Sequence, residues 1–279
     1  MFRQTMLETY KLERQVRTSE CTLTLDQQIY GWLRKTAKIL AAVAGLAVKR
    51  QRLGLATNSN FLLAITGVDG VLGLGQKAAS FNGGLPLFYN MVDQDVLSNP
   101  VFTFCRSRQK DKVKNNQLIF GDSDPSRYPG KAFTFVPVQG SYFWQFKLDK
   151  ISVDGDDSAC GTSCCGIADS GTTLIRGPKS IIESINDLIG ATLSNSYYLV
   201  DCDTTKSPSI DFEIEGETFT MEPEDYIISV NSTNCITVFA ATNAKSTNCL
   251  ILGIPFLNGK CTQFDLENKR IGLVATTSE

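Results

Sequence analysis

The chemistry open to this chain is narrowed first by a missing residue type. None of its 279 residues is a histidine, so a Ser/His/Asp triad, a Cys/His pair and an imidazole zinc site are all excluded. Acid/base work would fall to carboxylates, and Asp169 is the candidate. It follows the apolar, strand-like Ile167-Ala168 and opens the run Asp169-Ser170-Gly171-Thr172-Thr173-Leu174. A carboxylate at the end of an apolar strand carries a desolvation cost, which neighbouring hydroxyls and the N–H groups around Gly171 can offset by hydrogen bonding. A second carboxylate within about 3 Å would have to share one proton with it, so that one deprotonates water while the other donates to a carbonyl oxygen. Asp-Ser-Gly is also an ordinary turn, and that plainer reading stands beside the catalytic one.

Nine cysteines, seven of them between Cys160 and Cys261, read mostly as disulfides and hence as an oxidising compartment. The dense Cys160/Cys164/Cys165 group admits a metal cluster instead. No second pair at zinc-finger spacing supports that, and no metal or other cofactor is expected. Asn231-Ser232-Thr233 is a glycosylation sequon, which fits a secretory route. The first twenty residues are charged and lack an apolar signal core. The longest apolar run, Ile39 to Val48, is about ten residues and too short to span a bilayer. Secretory cysteines without a secretory signal lead to the expectation that the chain as given lacks its front end.

With 27 Lys+Arg against 29 Asp+Glu, the formal charge is −2. That gives no basic field for a nucleic-acid backbone, and nucleic acid is not an expected partner. The elements that must position Asp169 are mostly β. Val101 to Cys105, Gln117 to Phe120, Ala132 to Val138, Tyr142 to Leu148 and Ile151 to Val153 are short runs of strand type, separated by Gly, Pro, Asn and Asp. Helices are expected at Leu85 to Gln94 and Pro178 to Ile189, where apolar residues recur at three-to-four spacing, and helical spacing also marks Leu33 to Ala42. A weak internal repeat places two apolar residues before a glycine in Val71-Leu72-Gly73 and again in Ile251-Leu252-Gly253.

The segment Ala168-Asp169-Ser170-Gly171-Thr172-Thr173-Leu174, with Gly177-Pro178, resembles the second active-site motif of the pepsin family of aspartic proteases, near its cathepsin D and pepsin branch. Val68 to Gly75, Leu118 to Asp122, Tyr128-Pro129-Gly130, Phe143-Trp144-Gln145, Ile251-Leu252-Gly253 and Phe264-Asp265 with Arg270 to Leu273 match in order. The resemblance covers some four-fifths of the chain, from about Ala44 to the end. It implies a mostly β, two-lobed pepsin-like barrel fold: a divergent segment 1–43, a partial first lobe 44–138 and a complete second lobe 139–279. It implies Asp169 as a catalytic residue, Gly171, Thr172 and Thr173 beside the substrate, and disulfides Cys160–Cys164 and Cys202–Cys235. Cys249 and Cys261 could form a third bridge, leaving Cys21, Cys105 and Cys165 as buried thiols. Ser170 and Thr172 are both expected to hydrogen-bond around Asp169.

Departures from the family pattern matter for function. In that family each lobe supplies one Asp-Thr/Ser-Gly, and none precedes Val71 here; Asp26 and Asp69 lack the small glycine turn. Ile29-Tyr30-Gly31 stands near the place of the family's substrate-covering hairpin, making Tyr30 a candidate substrate contact. Ile254 replaces a frequent aspartate and Phe143 a frequent tyrosine. The expected function is an aspartic endopeptidase in an N-terminally truncated form, a secreted or lysosomal/vacuolar monomer acting on peptides or proteins. The alternative is an inactive pepsin-like peptide-binding protein, and a dyad built from two copies of Asp169 ranks last.

Overall fold

The computed structural model describes residues 36–54, 72–80, 83–108, 115–155, 164–231, 233–242 and 249–277. These fall into two compact units, one within residues 5–99 and the other made chiefly of residues 100–279.

In the first unit, β1 (Thr36–Val43) and β2 (Leu46–Gly54) form an antiparallel hairpin. This corrects the helical expectation for Leu33 to Ala42 over its described part. Ala44 and Gly45 both take positive φ, 51° and 80°, the two-residue loop whose twist matches paired strands. Cross-strand pairing then overrides a weak three-to-four spacing. Helix α1 (Leu87–Asp93) buries Leu87, Phe88 and Met91. It is tied to β2 by amides: Asn90 donates to the Gln51 side chain at 3.0 Å, and the Gln94 side chain both donates to the Lys49 carbonyl and accepts from the Lys49 N–H.

In the second unit a five-stranded antiparallel sheet runs in the order β4 (Gln117–Phe120), β3 (Val101–Cys105), β18 (Lys260–Asp265), β19 (Arg270–Ala275), β5 (Thr134–Pro137). Aromatic residues alternate along β3, and their rings supply its core. Phe102 stacks on Phe264 with centroids 4.6 Å apart, and Trp144 meets both edge-on, an arrangement that adds to the hydrophobic gain.

A second five-stranded sheet has the order β16 (Phe239–Ala241), β9 (Ile175–Gly177), β17 (Cys249–Leu252), β8 (Cys165–Ala168), β6 (Gln145–Lys147). Two smaller sheets complete the unit. One is β13 (Glu217–Met221), β12 (Ile210–Ile214), β7 (Lys150–Val153); the other is β10 (Thr192–Ser194), β11 (Tyr197–Val200), β15 (Cys235–Thr237), β14 (Ile227–Ser229). The fold is mostly β, in separate sheets. Helix α2 (Lys179–Ile189) buries Ile182, Ile185, Asn186 and Ile189 and ends at Gly190 with φ 78°, the left-handed cap that glycine adopts without strain. Short helices α3 (Pro223–Tyr226) and α4 (Ile254–Leu257) follow β13 and β17.

The disulfides revise the cysteine expectations. Cys202–Cys235 forms. Cys249 and Cys261 do not join each other: Cys105 bonds Cys261 and Cys165 bonds Cys249. The reason is register, since Cys261 lies directly opposite Cys105 across β18 and β3, and Cys249 opposite Cys165 across β17 and β8. Cys105 and Cys165 are therefore not free thiols. Cys164 is disulfide-bonded as well, whereas Cys160, its expected partner, and Cys21 lie outside the described residues.

Candidate functional site

Asp169 stands where β8 ends, and the strand's four residues are all buried. Beside it β17 runs parallel to β8 and antiparallel to β9, so the chain leaves along β8, turns through residues 169–174, returns along β9, and is later split by β17. The Asp169 N–H donates to the Leu252 carbonyl at 3.1 Å and the Ile254 N–H to the Thr172 carbonyl at 2.7 Å. These two bonds hold the turn against the crossing strand at both ends.

Small residues make the crossing possible. A side chain at Gly253 would collide with the carbonyl oxygens of Thr172 and Leu174, and one at Gly177 with the Leu250 side chain. A Cβ on Gly166 would come within 2.8 Å of Leu252 and 2.9 Å of Phe146, closer than packed carbons tolerate. Three glycines on three segments thus let β8, β17 and β9 nest around one turn.

Within that turn the Asp169 side chain is buried, at 2% exposure. Its Oδ1 accepts from the Gly171 N–H at 3.0 Å and its Oδ2 from Thr172 Oγ1 at 2.7 Å. Donors on both oxygens fix the carboxylate plane, and hydrogen bonds to an ionised acceptor are among the stronger ones. Gly171 and Thr172 are half-buried; Thr173 is exposed on the same turn. The expectation for Ser170 fails: its Oγ is buried without a hydrogen-bond partner, and Gly171 and Thr172 serve the carboxylate instead. A carboxylate so held, with an exposed hydroxyl beside it, can orient a water or a peptide group. Dividing base from acid takes a second carboxylate.

Phe143 packs against the cluster of Cys165, Ile167 and Cys249 beneath the turn, and Ile254 opens α4 directly after Gly253. Tyr30, Asp26 and Asp69 lie outside the described residues. Asn231 is exposed in the turn between β14 and β15, where its Oδ1 accepts from the Thr233 N–H, the Thr233 hydroxyl and the Asn234 N–H.

Sequence reasoning missed the Cys165–Cys249 bridge, which locks β8 to β17. A signal was present, because each cysteine stands four residues before a key position, Asp169 in one case and Gly253 in the other.

Comparison with known proteins supplies independent context. The family described as eukaryotic aspartyl protease matches residues 31–276. Cathepsin D of Dictyostelium discoideum is 33% identical over 237 residues, which cover 82% of this chain and 61% of that protein. Cathepsin E-B of Xenopus laevis is 33% identical, with 83% and 59% covered. Pregnancy-associated glycoprotein 2 of Bos taurus is 35% identical over 207 residues, with 74% and 54% covered. The chain spans about three-fifths of the length of the first two relatives.

Proposed function

This chain belongs to the eukaryotic aspartyl protease family, and from that premise we propose that Asp169 is one of the two carboxylates of a pepsin-like endopeptidase site. The carrying observation is the buried Asp169 carboxylate, fixed by Gly171 and Thr172 on a turn that β17 crosses at Gly253. Its proposed role is to hold the attacking water while a partner carboxylate donates to the scissile carbonyl. Gly171, Thr172 and Thr173 line the peptide, and Tyr30 covers it.

Asp169-Ser170-Gly171 is the single Asp-Ser/Thr-Gly in the 279 residues. The partner carboxylate therefore belongs, in this reading, to first-lobe sequence beyond these residues. The 279-residue chain by itself has little or no peptidase activity, since each positioned acid or base contributes about 10²- to 10⁴-fold in rate. The same observation favours one alternative, a pepsin-like lobe that binds peptide without cleaving it.

The disulfides Cys105–Cys261, Cys165–Cys249 and Cys202–Cys235, with relatives that include cathepsin D, support a secreted or lysosomal/vacuolar location. Among the described residues no helix is long and apolar enough to cross a membrane. We take the chain to be a monomer acting on peptides or proteins, with Asn231 glycosylated.

The test is cleavage of a denatured protein at acid pH. The 279-residue chain should show none, and a version with an upstream Asp-Thr-Gly segment restored should cleave and lose activity on Asp169→Asn. Robust cleavage by the shorter chain, abolished by Asp169→Asn and blocked by a statine-type transition-state analogue, overturns the need for first-lobe sequence. Binding of that analogue without cleavage in either form selects the peptide-binding alternative.

A further inference from the structure

Away from the Asp169 turn, α2 and the β10–β11 hairpin flank an open surface hollow of about 340 Å³ lined by Glu183, Asp187, Ala191, Thr192, Leu193 and Tyr198. Glu183 and Asp187 are four residues apart on α2 and so share one helix face. Glu183 meets Lys179 at 3.4 Å, but that lysine is 73% exposed and the contact is a solvated one of small worth. No cationic side chain lines the hollow.

The second observation is Tyr198. Its ring is 5% exposed, and its hydroxyl, at the wall of the hollow, makes no hydrogen bond to another described residue. The hydroxyl is not sealed in the core: solvent reaches it through the hollow. Burial pushes its pKa up, and the negative fields of Glu183 and Asp187 push the same way, so the group stays a neutral phenol. The hollow thus presents two carboxylates and one phenol oxygen, all able to accept, beside the apolar Ala191 and Leu193.

That set fits one kind of ligand. An alkylammonium has three N–H donors and no acceptor, carried on an apolar stem, whereas an anion would face two negative charges. The size is at the low end for ligand sites, about 300 to 1,000 Å³, and suits a single side chain. Leu193 and Tyr197 are 55% and 60% exposed on the same hairpin, and β10 is the outer strand of its sheet, so a polypeptide has apolar surface and a strand edge to lie along.

We propose that this hollow docks a lysine side chain of a polypeptide partner, its ammonium seated between Glu183, Asp187 and the Tyr198 hydroxyl. The site is separate from Asp169 and does not depend on catalysis.

The probe is an acetylated, amidated pentapeptide with lysine between two leucines, titrated into the full chain by calorimetry and by amide NMR shifts at Leu193 and Tyr198. A norleucine peptide and spermidine serve as comparators. The lysine peptide should bind at least about tenfold tighter than the norleucine peptide. Glu183→Gln with Asp187→Asn should remove about tenfold and Tyr198→Phe about threefold, the scale of lost charged and neutral hydrogen bonds. Both carboxylates are at the surface, so the double variant should keep the urea midpoint of the parent. Equal binding of the norleucine peptide, unchanged affinity in the double variant, or no binding at millimolar peptide overturns the proposal. So does spermidine binding as tightly as the peptide, which would assign the hollow to a free polyamine.

Discussion

Lys260 should make the stability of this protein depend on pH well above neutrality. It lies in β18 at 5% exposure. Its Nζ donates to the Phe256 carbonyl at 2.7 Å and sits 4.6 Å from the Phe256 ring centroid, at the carboxy-terminal end of α4. Burial pushes its pKa from 10.5 down to about 8; Asp225 opposes the shift and Arg108, itself 3.6 Å from Asp225, adds to it. A folded-state pKa below the unfolded one means that between about 8 and 10.5 the unfolded chain holds a proton the folded chain has released. Stability therefore rises with pH across that window. The benefit is complete above 10.5 and lost as pH falls to about 8, a total of about 3 kcal/mol at about 1.4 kcal/mol per pH unit. The perturbation is Lys260→Met, which keeps the stem and removes the charge. Urea unfolding of both proteins, disulfides intact, at pH 7, 8, 9 and 9.5 gives the difference in free energy and cancels the other titrating groups. Relative to the variant, the parent should gain about 2 kcal/mol between pH 8 and 9.5 and stay level between 7 and 8. Parallel profiles within about 0.5 kcal/mol would refute the argument, because they would mean that Lys260 is solvated and keeps its proton in the folded chain as it does in the unfolded one.

The other expectations concern the Asp169 turn and its supports. Gly253→Ala must push apart the Thr172 and Leu174 carbonyls and should cost at least about 3 kcal/mol, lowering Tm by about 5 °C or more; an unchanged melt would contradict the close crossing. Thr172→Val keeps the shape but removes the donor to Asp169 Oδ2, for a loss of about 1.5 to 3 kcal/mol in urea, and a neutral result would mean that the bond does not form in solution. Replacing both members of Cys165–Cys249 by alanine opens a loop with a sequence separation of 84, against 33 for Cys202–Cys235. Loop-closure entropy predicts losses of about 4.6 and about 3.7 kcal/mol, so the first pair should cost more when the two double variants are unfolded side by side. The reverse order would show native-state relaxation outweighing chain entropy.

Much of the architecture could be read before any coordinates. Val101 to Cys105 and Gln117 to Phe120 are strands as expected, because bulky residues bounded by turn formers leave a short segment few alternatives. Ile182, Ile185 and Ile189 announce the buried face of α2. Thr36 to Val43 misled because its alanines and leucine are compatible with either period. The deciding information is the Ala44-Gly45 turn and the partner strand beyond it. At the candidate site the sequence locates Asp169 but not its donors. Ser170, Thr172 and Thr173 offer the same chemistry, and only the path of the turn sends Thr172 to the carboxylate while burying Ser170 without a partner. Cysteine pairing was illegible for a related reason, since spacing along the chain carries no register between strands. The burial of Lys260, between Gly259 and Cys261 in a strand, likewise has no local signature.

The placement of β18 between β3 and β19 has a consequence for how the protein is made. Cys105 and Cys261 are 156 residues apart, so at a synthesis rate of about 5 to 20 residues per second β3 waits about 8 to 30 s for its neighbour to be translated. Through that interval Phe102 and Phe104 have no Phe264 ring to pack against, and β3 offers an open edge suited to pairing with another nascent chain. Cys160, Cys164, Cys165, Cys202, Cys235 and Cys249 are all translated before the partner of Cys105 exists. Biogenesis should therefore lean on a chaperone to shield the early strands and on an isomerase to undo premature bridges, and a ribosome halted just short of Lys260 would leave the β4-β3-β18-β19-β5 sheet without both β18 and β19.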